Sequence, residues 1–138
     1  MIERVIGSEC ELAIILRASR IADGISFITR PENELQLGCM KRSQGYTIEP
    51  HFHCEHKREI STTQEVLYIK SGRVRVDFYD IDMRFLESQT VEAGDFLLLA
   101  AGGHGFHFID EAEIIEVKQG PYAGEADKKR FTSDAIPK

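Results

Sequence analysis

From residue 11 onward the chain is broken into short runs of Ile, Val, Phe, Leu and Tyr, separated by Gly, Asp, Ser and Pro at intervals of about eight to twelve residues. That rhythm restricts the fold more than any other feature, because strands need only a few residues and a turn, whereas helices need a sustained 3.6-residue period. The runs are Leu12 to Leu16, Ile25 to Thr29, Leu35 to Lys41, Tyr46 to His53, Val66 to Lys70, Val74 to Tyr79, Met83 to Val91, Phe96 to Leu99, Gly105 to Ile109 and Ile114 to Lys118. They predict an all-β sandwich or barrel. Ser71-Gly72, Asp80-Ile81-Asp82 and Asp110-Glu111 are its expected tight turns, since these residues tolerate chain-reversing backbone angles. A helix over Glu11 to Ser19 is the best alternative reading of that stretch. No internal repeat, low-complexity tract or linker divides the chain.

The 138 residues fall in the size range of one domain with one core. A net charge of −6 repels a phosphate backbone, and no basic cluster alternates with aromatics, so nucleic acid is excluded as an expected partner. Three cysteines, Cys10, Cys39 and Cys54, are odd in number and lack Cys-x-x-Cys spacing, which fits a reducing compartment and predicts a cytoplasmic protein. No stretch approaches the ~20 apolar residues of a membrane helix, and Met1-Ile2-Glu3-Arg4 does not open a signal peptide, so no membrane partner is expected.

Chemistry is concentrated around His51 and His53. Residues two apart on a strand project from one face, so an extended Tyr46 to His53 would aim both imidazoles at one point. If the following loop turns the chain back, Glu65 opens the returning strand beside them and adds a carboxylate. Cys54, of opposite parity, points away and reads as a buried or inert thiol; His56 reads as solvent-exposed, and Glu49 as a solvated strand-end residue.

This arrangement resembles the first motif of the cupins: glycine, five residues, His-x-His, a gap, then glutamate, six residues and glycine. Gly45, His51, His53, Glu65 and Gly72 keep those places, with a gap of eleven residues, Cys54 to Gln64, where cupins usually have three or four. The inserted residues read as a polar, extended hairpin. Gly94 through Gly102-Gly103-His104-Gly105-Phe106-His107 resembles the second motif, with Ala100 at its proline position and the histidine one residue early. A one-residue deletion in the turn makes His104 the equivalent histidine, with His107 as fallback. The two are three apart and face opposite sides of a strand, so only one can enter a barrel.

The resemblance, over about residues 36 to 119, implies a double-stranded β-helix, the jelly-roll or cupin barrel, with extra N-terminal strands. It implies segments 1–34 (strands packing on the barrel or a partner subunit), 35–120 (the barrel) and 121–138 (a polar tail that wraps the surface or frays). Glu65, Leu67 and Ile69, with Val74, Val76 and Phe78, are expected to line its interior. It implies a metal site of His51, His53, Glu65 and His104 holding one divalent ion per chain, iron, manganese, zinc or nickel. The implied ligand is a small oxygen-bearing metabolite, such as a sugar or sugar nucleotide, with Tyr46, Tyr68, Arg30 and Lys118 as further residues that could reach it.

Whether the chain is an enzyme stays open; a metal-dependent oxygenase or isomerase is one implied activity. Another is a metal-free sugar-nucleotide ketoisomerase or epimerase that uses the histidine pair for proton transfer. A non-catalytic sugar or metabolite-binding module is the reading from outside enzymology. The N-terminal runs, which carry Arg17 and Arg30 and need backbone partners, imply a homodimer.

Overall fold

The computed structural model describes residues 1–17 and 21–134. They are all-β apart from one turn of 3₁₀ helix at Gly124–Asp127, and they form two units: residues 1–17 with 62–134, and residues 21–61. The strands are β1 (Ile2–Ile6), β2 (Glu11–Leu16), β3 (Gly24–Phe27), β4 (Gly38–Lys41), β5 (Glu65–Ser71), β6 (Arg73–Tyr79), β7 (Phe85–Glu92), β8 (Phe96–Leu99), β9 (Gly103–Phe108) and β10 (Glu113–Lys118). Among the described residues no helix is long and apolar enough to cross a membrane.

In the first unit, β1-β2-β8-β5-β10 make a five-stranded antiparallel sheet and β7-β6-β9 a three-stranded one. Alternation along each strand sends one set of side chains into a shared core: Ala13 and Ile15 from β2, Leu67 and Ile69 from β5, Leu97 and Leu99 from β8, and Val74, Val76 and Phe78 from β6. Phe78, almost wholly buried, anchors this core, and truncating it to Ala would cost about 4 kcal/mol through lost contacts and a residual cavity. The expected interior positions of β5 and β6 are therefore buried, with Glu65 at the end of the same face of β5.

Tight turns fall where the sequence placed them. Between β5 and β6, Gly72 has φ +78°, and a Cβ there would stand 2.3 Å from the Glu111 carbonyl oxygen of the next turn, so only glycine lets the two turns nest. After β6, Asp80 accepts from the Met83 amide at 2.8 Å.

One alternative falls away, one expectation needs correction and one strand was not foreseen. Glu11–Leu16 is a strand, not the start of a helix; Ser19, the end of that alternative, lies outside the described residues, as does Pro137 of the tail. β2 finds its partners within its own sheet, β1 on one side and β8 on the other, so Leu12 to Leu16 does not require another subunit. The missed element is β1, whose Ile2-Glu3-Arg4-Val5-Ile6 mixes charge with apolar residues and buries only Val5 deeply.

The second unit is smaller. β3 and β4 pair as an antiparallel ribbon, shorter than the runs Ile25 to Thr29 and Leu35 to Lys41. Their connection is organised by Thr29, whose hydroxyl donates to Gln36 Oε1 at 2.9 Å and accepts from the Leu37 amide at 3.1 Å. The run Tyr46 to His53 is not a strand, and residues 46–61 are exposed, so its aromatic and β-branched residues mark no ladder here.

Candidate functional site

The first unit brings together two residues that the sequence selected from separate motifs. Glu65 begins β5, facing inward with Leu67 and Ile69, opposite Leu99 on one side and Lys118 on the other. His104 lies on β9 opposite Phe78, so its side chain takes the inward face of the three-stranded sheet. Their side chains meet across the sheets, Nε2 of His104 standing 3.4 Å from Oε2 of Glu65. His107 pairs with Arg75 and takes the opposite face, as strand parity requires.

Only 11% of the Glu65 side chain and 31% of that of His104 remain accessible. The His104 imidazole holds the Glu65 carboxyl below its ordinary value; burial opposes this, and the charges of Lys118 and Lys128 add to it. The separation itself is informative. It is longer than a good charge-assisted hydrogen bond, yet close enough for direct electrostatic attraction.

The pair opens on a cavity of about 630 Å³, a volume suited to a small metabolite. Tyr79, Phe106 and Phe131 give it aromatic walls, and Gly102, Gly103 and Gly105 keep the β9 side low. The far wall is a strap from the chain's last described segment: Asp127, Lys128, Lys129, Arg130, Phe131 and Ser133. It is pinned at several points. The Thr63 hydroxyl donates to Asp127 at 2.9 Å, the Phe131 ring meets Tyr79 edge-on with centroids 5.0 Å apart, Tyr79 and Ser133 share a hydroxyl hydrogen bond, and the Phe85 amide donates to Asp134 at 2.8 Å. A Cβ on Gly103 would stand 2.9 Å from the Phe131 ring, so the missing side chain on β9 is what admits the strap.

His51 and His53 belong to the second unit. Their rings lie 5.5 Å apart, edge to face, and the His51 Nδ1–H donates to the Glu49 carbonyl oxygen at 3.0 Å. That bond leaves Nε2 of a neutral His51 with its lone pair, the tautomer that a metal-ligating histidine adopts when its other nitrogen is held by a carbonyl. Among the described residues, no three His, Cys, Asp or Glu side chains gather into a metal-holding group. Cys54, expected to be buried or inert, is exposed, as is His56. Of the other named residues, Tyr68 stacks on Phe96, Tyr46 lies under the Arg42 guanidinium, and Lys118 sits beside Glu65 in register.

The sequence missed Tyr79, Phe131 and the strap lysines. Asp127-Lys128-Lys129-Arg130 reads as an ordinary solvated run, and the one usable signal was Gly102-Gly103, consecutive glycines that admit a close neighbour. No protein-family model, curated protein or solved structure matches the chain.

Proposed function

We propose that the protein is a cupin-type metal-binding protein that acts on, or holds, a small oxygen-bearing metabolite in the cavity beside Glu65 and His104. The observation that carries this reading is the 3.4 Å separation of Glu65 Oε2 and His104 Nε2, two donors named from different motifs. Imidazole nitrogen and carboxylate oxygen suit a first-row divalent ion. Glu65 and His104 would hold it. A bound ion would supply Lewis acidity to a ligand oxygen. The chain's own contribution is a half-dry pocket: Phe106, Phe131 and Tyr79 take the apolar body of the ligand and the strap limits water. The jelly-roll barrel, a homodimer and a cytoplasmic location complete the proposal. Elemental analysis of protein purified without chelator or polyhistidine tag tests it, with about one divalent ion per chain expected. Protein that carries none, and takes up neither iron, manganese, nickel nor zinc, overturns it.

A second reading is favoured by the same pair as a carboxylate–imidazole couple. With Nε2–H of His104 directed at Glu65, the neutral ring keeps its lone pair on Nδ1 and its orientation fixed, which is what proton transfer beside a ketone requires. Under this reading the protein is a metal-free ketoisomerase or epimerase. Incubation with keto sugars and sugar nucleotides in deuterium oxide would then exchange a carbon-bound proton, and His104→Ala would abolish the exchange.

A further inference from the structure

We infer that the cavity takes a ligand bearing an oxyanion, and that Lys128 and Lys129 of the strap anchor that group. The inference rests on the cavity being the working site and specifies the ligand class it selects. Its first support is a charge contrast. A chain of net charge −6 places three consecutive cations, Lys128, Lys129 and Arg130, along one wall of its cavity.

The second support is how the neighbouring charges are engaged. Arg130 pairs with Glu125 at 2.9 Å. Glu65 faces His104, and Asp127 accepts from the Thr63 hydroxyl. Among the described residues Lys128 and Lys129 take part in no ion pair, although carboxylates lie on the same strap. An ammonium offers three donors to phosphate or carboxylate oxygens without fixing their orientation, which suits a group bound away from the reacting end.

The arrangement then has a direction. An oxyanion meets the strap lysines, a ring or chain lies against Tyr79, Phe106 and Phe131, and the oxygen-bearing carbon is presented to His104 and Glu65. A phosphate ester and a carboxylate share this chemistry.

Titration calorimetry on the full chain with glycerol 2-phosphate, succinate and the neutral methyl α-D-glucoside tests the inference. At least one anion should bind saturably and the glucoside should not; which anion binds tells phosphate from carboxylate. The double variant Lys128→Gln/Lys129→Gln should weaken that binding by about tenfold or more, the loss of two charge-assisted contacts. Lys70→Gln, which removes an exposed charge paired with Glu113, should leave it within about twofold. Both strap lysines are exposed, so the double variant retains the fold. Glucoside binding without anion binding, or anion binding indifferent to the double variant, overturns the inference and leaves the cavity as the working site. If no probe binds, the cavity reading falls with it.

Discussion

The Arg17 guanidinium meets the Asp95 carboxylate at 2.9 Å, joining the end of β2 to the turn between β7 and β8. Arg17 also donates to both carboxylate oxygens of Glu3 and to the Thr90 carbonyl, and Asp95 accepts from the Glu92 amide at 3.1 Å. One side chain thus ties β1, β7 and the β7–β8 turn together. Asp95 is almost fully buried, so Arg17→Ala removes the charge that compensates it and should cost about 3 kcal/mol in urea unfolding. Arg17→Ala/Asp95→Asn should recover part of that loss, whereas a cost near zero in the single variant would mean the ion pair is incidental.

The acid stability of the protein should depend on Glu65. Its carboxyl titrates below the ordinary carboxylate value because His104 favours the ionised form, so it stabilises the fold fully above about pH 4.3. The contribution disappears as pH falls through the lowered folded-state value. In metal-free buffer the wild type should therefore lose stability relative to Glu65→Gln on acidification below that range. Parallel unfolding curves of the two proteins from pH 6 to pH 3 would contradict it.

Metal content should separate the histidines. Glu65→Gln and His104→Ala should each lower divalent-ion affinity by about tenfold or more, and His107→Ala should leave it near wild type, because β9 turns His107 to the Arg75 side of its sheet. Competition against a chromogenic chelator measures this. Retention in His104→Ala with loss in His107→Ala would reverse the assignment.

Gly103 and Phe131 should be energetically coupled. A methyl group on Gly103 collides with the Phe131 ring, so Gly103→Ala should cost about 1–3 kcal/mol in the wild type and distinctly less in a Phe131→Ala background. The residual cost comes from Tyr79, whose Cβ stands 3.2 Å from the same methyl position. Additive effects would show that the strap does not pack against β9 in solution.

The proposed dimer should involve β1, which ends the five-stranded sheet and leaves Ile2 and Ile6 47% and 55% exposed. Light scattering of the wild type should give twice the chain mass, and Ile6→Lys should lower it toward one. A wild-type monomer at micromolar concentration removes the homodimer from the proposal.

Strand after strand was readable because period-2 alternation and turn chemistry are local. Val74, Val76 and Phe78 announce a buried face, and Ser71-Gly72 and Asp80-Ile81-Asp82 announce reversals without knowledge of anything distant. Glu65 and His104 were singled out for a different reason: motif spacing selected each, and strand parity put Glu65 on the face of Leu67 and Ile69 and His104 on the face opposite His107. The run Tyr46 to His53 failed because alternation describes a strand only where a ladder partner exists, and residues 46–53 pair with none among the described residues. β1 was missed because Glu3 and Arg4 mask its pattern. The strap was invisible for a third reason: its wall is made by Phe131 meeting a glycine 28 positions earlier, a relation that no local window contains.

The position of the strap also sets an order of events during synthesis. β1 through β10 are complete by Lys118, and their pairing and shared core use nothing beyond it. The cavity wall, by contrast, comes from residues 127–133. A chain emerging from the ribosome can therefore close both sheets of the first unit before residues 127–133, which complete the wall of the cavity, are available to it.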